Sequence, residues 1–176
     1  MPHPRITLCL EQTLGHRAHG QNLESVLDGR PEPIDVVRVD SPDVARVRVP
    51  WAVRGSAGAL RGLRASGNTD VALFHTQTIS LFAPLARTPY VVSVDATPVQ
   101  VDAMGRWYAH RRGPRTVEAA KRCWYARVFS GAAGIVAWSE WAARSLVIDY
   151  GVGRDCILVA HPGAPQAFFA IDRARP

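Results

Sequence analysis

Five polar clusters in this chain have the residue types for chemistry. They are residues 11–20 with His16 and His19, His75-Thr76-Gln77, Asp95-Ala96-Thr97-Pro98 followed by Gln100, Ser139-Glu140, and His161-Pro162-Gly163. Each follows directly on a short apolar run. An imidazole or carboxylate in such a place can accept a hydrogen bond or a proton from a hydroxyl group. The same residues have plainer uses. Asp95 can cap the Thr-Pro turn that follows it, and His75 can be a satisfied histidine at a sheet rim. Ser139 stands where a helix N-cap belongs, with no base beside it to make it a nucleophile. His16 and His19 have no third ligand with metal-site spacing, so no metal site is expected.

The elements that would position these clusters alternate in type. Residues 6–10, 34–39, 44–49, 71–74, 90–94, 134–138 and 157–160 read as strands, mostly apolar and rich in β-branched residues. Residues 21–27, 58–65, 79–86, 115–129 and 140–150 read as helices. Turns are marked by Asp28-Gly29-Arg30-Pro31, Ser66-Gly67-Asn68 and Pro162-Gly163. Residues 11–20, with Gly15 and Gly20, read as a glycine loop, 51–56 as a second loop, and 95–113 as a long polar and aromatic connection. In the helix over 115–129, Val117, Ala120, Trp124 and Val128 share one face. Glu140 suits the positive end of the helix behind Ser139, and Gly151 the left-handed position that ends it. Alternation of this kind implies an α/β fold, a Rossmann-like parallel sheet with helices on both faces. Such sheets collect ligands at the carboxyl ends of their strands.

Composition bounds the rest. With 176 residues, 47% hydrophobic and 20% charged, the chain is long and apolar enough for one globular domain. It contains neither the ~18-residue apolar run of a membrane span nor a recognisable signal peptide, so a cytoplasmic location is expected. The formal net charge is +6, and of the 21 lysines and arginines only Lys121 is a lysine. A basic surface favours anionic partners, although no nucleic-acid-binding motif is present and nucleic acid is not the expected partner. Cys9, Cys123 and Cys156 lie far apart, against a disulfide framework or structural zinc; Cys9 and Cys156 are expected to be buried.

One stretch carries a family resemblance. Residues 134–146 read Gly-Ile-Val-Ala-Trp-Ser-Glu-Trp-Ala-Ala-Arg-Ser-Leu, followed by Tyr-Gly-Val, by Ile-Leu-Val-Ala-His-Pro-Gly-Ala, and by Phe168-Phe169. The order resembles the end of the N-terminal domain in retaining GT-B glycosyltransferases of the GT4 family. There a strand ends in Ser, a helix follows, a Tyr-Gly-Val turn leads to a strand ending in Pro-Gly-Val, and a Phe opens the interdomain linker. Leu14-Gly15-His16-Arg17-Ala18-His19 stands where that family has its first-strand glycine loop, with one glycine in place of the usual pair.

The resemblance implies a division of the chain and a set of roles. Residues 1–165 would be the N-terminal, acceptor-side GT-B domain and 166–176 the start of the linker. The donor-binding C-terminal domain would lie elsewhere. The function implied is the acceptor half of a retaining transferase, inactive alone, that moves a sugar from a nucleotide-sugar co-substrate to a glycan, lipid or small molecule, with no further cofactor. Asp95 occupies the place of a family histidine near the reacting sugar and is the implied catalytic residue. Gly15, His16, His19, His75, Thr97, Gln100, Ser139 and Glu140 would line the cleft. Arg106-Trp107-Tyr108-Ala109-His110-Arg111-Arg112 mixes cations with aromatics, as a peripheral membrane contact would. Glu24 and Glu32 match the family's donor-site Glu-x7-Glu by chance, since Gly29 and Pro31 break any helix between them. The alternatives are a non-enzymatic subunit of a split transferase and a basic nucleic-acid-binding domain.

Overall fold

The computed structural model describes residues 3–40, 49–105 and 113–164. Among them run β1 (Ile6–Glu11), α1 (Leu14–Leu27), β2 (Ile34–Val39), α2 (Trp51–Ala65), β3 (Val71–Phe74), β4 (Tyr90–Val94), α3 (Pro98–Ala103), α4 (Arg115–Ser130), β5 (Gly134–Ala137), α5 (Glu140–Tyr150) and β6 (Ile157–Val159). The six strands form one open sheet in the order β2-β1-β3-β4-β5-β6, and every pairing is parallel. The fold is the Rossmann-like α/β architecture that the alternation of elements predicts.

Successive residues of β1 show why both faces must be covered. Leu8, Cys9 and Leu10 are all buried, yet neighbours on a strand point to opposite faces. A Cβ on Gly20 of α1 would lie 3.7 Å from Leu10, whereas the Cys9 thiol reaches the Ala59 carbonyl of α2 at 4.0 Å. Thus α1 and α2 lie on opposite sides of the sheet. The core is shared by Phe74, Val92, Ile135 and Ala137 of the sheet and Val128, Phe129, Ala143 and Leu146 of the helices. No helix among the described residues is long and apolar enough to cross a membrane.

Several elements differ from the sequence expectation. The helices α1 and α2 begin at Leu14 and Trp51, inside segments that read as loops, so Gly15, His16 and His19 are helical. Residues 79–86 form turns with one short 3-10 helix, Ala83–Leu85, rather than an α-helix. The connection after β4 contains α3. On α4 the buried positions are Tyr125, Val128 and Phe129, while Val117 is exposed, because the helix meets the sheet only along its C-terminal half. Cys156 is exposed, since it sits in the 3-10 turn before β6 rather than in the strand; Cys9 is buried as expected. The strand expected over 44–49, the segment Arg106 to Arg112, and the linker at 166–176 fall wholly or mainly outside the described residues.

Close packing of α2 against the edge strand gives a first prediction. A Cβ at Gly62 would sit 2.2 Å from a methyl of Val37 on β2. Alanine there gains roughly 1 kcal/mol of helix propensity. It also forces α2 off the sheet against a stiff β-branched side chain, and overpacking costs about 1–3 kcal/mol. Gly62→Ala is expected to lower the thermal midpoint, as circular dichroism melting can establish.

Candidate functional site

The strand order reverses direction between β1 and β3. From β1 the chain moves outward to β2, then returns to the other side of β1 to lay down β3. A crevice opens at the carboxyl ends of strands at such a switch point, and three histidines meet there. His16 and His19 come from the first turns of α1, and His75 directly follows β3. The backbone N–H of His75 donates to the Cys9 carbonyl at 3.0 Å, continuing the β1–β3 ladder past the strand end.

His19 Nδ1 and His75 Nε2 are 2.6 Å apart, with rings stacked at 4.8 Å and 15°. His16 stands edge-on to His75 at 5.8 Å. Trp138, immediately after β5, closes the group: its ring centroid lies 4.3 Å from that of His19 and 6.0 Å from that of His16. The indole is fixed by donating to Ser93 Oγ at 2.6 Å, and the Trp138 carbonyl is met by His161 Nδ1 at 2.8 Å. Gly20, one turn along α1 from His16, packs beside the His75 ring; a Cβ there would be 3.8 Å away, an ordinary contact.

Burial decides the protonation of this cluster. His75 is fully buried. Burial, reinforced by the neighbouring His19 and His16, pushes its pKa down from 6.5 to about 3. The pKa of half-buried His19 is lowered by burial first and by His16 second. Both imidazoles are therefore neutral near pH 7. One proton joins them; in the tautomer in which His19 Nδ1–H donates to His75, the second nitrogen of His19 keeps its lone pair. His75 Nδ1 and His16 Nδ1 are buried and have no hydrogen-bond partner among the described residues.

The sign of the linkage follows directly. Between pH 6.5 and about 3 the unfolded chain holds a proton on His75 that the folded chain does not. Stability is therefore fully present above pH 6.5 and falls as pH drops through this window, by at most about 1.4 kcal/mol per pH unit for the one group. Urea midpoints measured at pH 7.5 and 5 are expected to show the loss, and His75→Gln to flatten it.

A second buried feature lies beside the histidines and is not singled out by motif. Glu11, the last residue of β1, is 2% exposed. Its Oε1 accepts from Thr13 Oγ1 at 2.7 Å and from Trp51 Nε1 at 2.6 Å, and its Oε2 accepts from Thr76 Oγ1. The carboxylate thus joins the ends of β1 and β3 to the start of α2. Glu11 and Trp51 lie far apart in sequence and form no motif, and Trp138 lies within the 134–146 stretch without being marked by it. Only the isolated acid at the end of an apolar run signals Glu11.

The remaining candidates divide by their present bonds. Asp95, after β4, is half-buried, and its Oδ1 is buried with no partner among the described residues. Thr97 and Gln100 are committed inward. They form a capping box on α3, Gln100 Nε2 donates to the Trp141 carbonyl at 2.8 Å, and Thr97 Oγ1 meets Ser145 Oγ at 2.6 Å. Ser139 caps α5 by accepting from Ala142 N–H, and Gly151 ends that helix at φ 69°. Glu140 is exposed and faces Arg154 at 3.3 Å. Gly15 has open space where a Cβ would stand, so no neighbouring group of the protein demands glycine there. Glu24 binds Arg38 at 2.7 Å, beside the edge strand β2. No group of metal-binding side chains occurs among the described residues.

No family model matches this chain, and no curated protein matches it. Solved structures do. CalG4, the calicheamicin glycosyltransferase, superposes with a TM-score of 0.57 at 13% identity, over 95% of this chain and 55% of that one. Phytolacca americana UGT2, complexed with UDP-2fluoro-glucose and pterostilbene, gives 0.50 at 12% identity, over 92% and 53%. The chain spans about half the length of each. What it shares with them at these identities is a fold, an open parallel sheet with helices of the Rossmann-like α/β kind.

Proposed function

We propose that this chain is the acceptor-side half of a nucleotide-sugar-dependent glycosyltransferase, with its acceptor cleft at the carboxyl rim of β1, β3 and β4. The donor is then held by a second α/β domain, on a continuation of this chain or on a partner. The observation that carries the reading is the neutral His19–His75 pair at the switch point of a sheet shared with two solved glycosyltransferase structures.

The chemistry runs from the residues. An acceptor hydroxyl at the rim loses its proton to the free imidazole nitrogen of His19 as its oxygen attacks the anomeric carbon. His75 is a positioning residue. It receives the Nδ1–H of His19, which fixes the tautomer and the ring. Asp95, with an unpartnered buried oxygen, supplies negative charge beside the oxocarbenium-like carbon. Charge on the departing phosphate is met by the donor domain.

The sequence resemblance to GT4 enzymes favours retention at the anomeric carbon. The imidazole pair favours a second outcome, because a base beside the acceptor hydroxyl assists in-line displacement, which inverts. Proton NMR of the product's anomeric signal decides between them.

The test is a transfer assay with the chain joined to a donor-binding half, nucleotide sugars and a panel of glycan, lipid and small-molecule acceptors. Asp95→Asn is expected to slow transfer about a hundredfold with little change in acceptor KM; near-normal turnover removes Asp95 from the mechanism. Absence of transfer with every donor, alongside salt-sensitive binding to nucleic acid, would replace the reading.

A further inference from the structure

Away from the histidine rim, α2 carries a second surface of distinct chemistry. Its buried residues, Gly55, Ser56, Ala59, Leu60 and Leu63, form one face. Arg54, Arg61 and Arg64 fall outside that face, Trp51 borders it, and the helix contains no acidic residue. These side chains line a cavity of about 730 Å³, closed by Arg38 and Asp40 at the end of β2 and by Phe82. Like charges on one helix face destabilise it, and α2 has no acidic side chain of its own to offset them. Arg61 and Arg64 are exposed and have no ion pair among the described residues, while Arg38 is engaged by Glu24 at 2.7 Å.

The floor of the groove is organised in advance. Trp51 is held by its indole bond to Glu11, and Arg54 lies over its ring at 5.8 Å while donating to the Val49 carbonyl at 3.1 Å. Gly55 lies under the indole, where a Cβ would come within 3.1 Å. At 1.5 Å per residue, Arg54 and Arg61 are separated by about 10 Å along the helix and Arg61 and Arg64 by about 4.5 Å. The charges suit an extended anion rather than one small ion, and guanidinium is the cation best matched to carboxylate and phosphate oxygens. Asp40 sets the class further. Its carboxylate can accept from sugar hydroxyls and opposes the closely spaced phosphates of a nucleic acid. Phe82, half-buried in the lining, adds apolar surface for saccharide rings.

We propose that this groove binds an extended acidic saccharide, the acceptor chain of the transferase. The inference rests on the glycosyltransferase reading for its choice of saccharide. Its test is calorimetric titration of the chain with a galacturonate hexamer, with cellohexaose as the neutral arm and single-stranded DNA of equal charge as the nucleic-acid arm. Binding of the galacturonate, none of cellohexaose, and a weakening of about a hundredfold in R61Q/R64Q are expected, about tenfold for each guanidinium–carboxylate pair removed. Both substitutions are on exposed side chains, and an unchanged melting curve certifies the fold. Unchanged affinity in R61Q/R64Q, no affinity for the galacturonate, or equally tight binding of DNA overturns the proposal. The two readings fail separately. Galacturonate bound in the groove without any transfer activity sinks only the transferase. Transfer to acidic acceptors with a wild-type KM in R61Q/R64Q sinks only the groove.

Discussion

His19→Ala is expected to slow glycosyl transfer by about a hundred- to a thousandfold at pH 7.5, within the range of a lost general base. The effect falls on kcat, because the imidazole acts on the proton in the transition state and holds the resting acceptor by a single hydrogen bond. The pH profile separates base chemistry from mere packing. Burial and the neighbouring His16 lower the pKa of His19, so the acidic limb of the wild-type rate lies at lower pH than a solvated imidazole would place it. In His19→Ala that acidic limb disappears. His75→Gln, which keeps a polar partner for His19 but not its ring stacking, is expected to give an intermediate loss. A His19→Ala variant with wild-type kcat moves the chemistry elsewhere on the rim.

Glu11→Ala is expected to be the most destabilising single substitution in the chain outside the apolar core. The carboxylate is buried and accepts from Thr13, Thr76 and Trp51. Its removal strands up to three donors and opens a cavity where β1, β3 and α2 meet. Hydrogen bonds to a charged group contribute about 1.5–3 kcal/mol each, and a stranded buried donor costs about 1–3 kcal/mol. The two threonine hydroxyls can turn to other partners, so a net loss of about 3 kcal/mol is expected. For a chain of this size that lowers the melting midpoint by roughly 10 °C. Glu11→Gln, which retains an acceptor oxygen, is expected to lose about half as much. Calorimetry of the two variants measures both, and a midpoint within two or three degrees of wild type in Glu11→Ala, about the shift expected for only 1 kcal/mol, would contradict this role.

Much of this arrangement is legible in the chain. Buried parallel strands are continuous apolar runs, so β3 and β4 fall on the expected residues and β1, β5 and β6 within one. The caps of α5, Ser139 and Gly151, are equally plain because their backbone chemistry is local. The starts of α1 and α2 are not. Glycine is read as loop punctuation, and its helix propensity is poor by about 1 kcal/mol. In α2, however, Gly55 and Gly62 are the points where the helix meets a side chain or the neighbouring strand at close range. Tertiary packing overrides propensity there.

The candidate site is legible by the same division. Polar residues after strand ends mark the rim, and His16, His19 and His75 do converge. Thr97, Gln100 and Ser139 satisfy the same pattern, yet their side chains serve the caps of α3 and α5. The bonds of Glu11 to Trp51 and of Trp138 to Ser93 span 40 and 45 residues. No local pattern encodes such pairs; only the strand order brings them together.

A histidine at the switch point that stays neutral is the feature on which the mechanism depends most. Titration of the imidazole Cε1–H signals of the intact chain by carbon–proton NMR measures this directly. His75 is expected to remain uncharged from pH 8 down to the acid limit of the folded state, consistent with a pKa of about 3. A His75 signal that titrates near 6.5, as a solvated imidazole does, would contradict the mechanism.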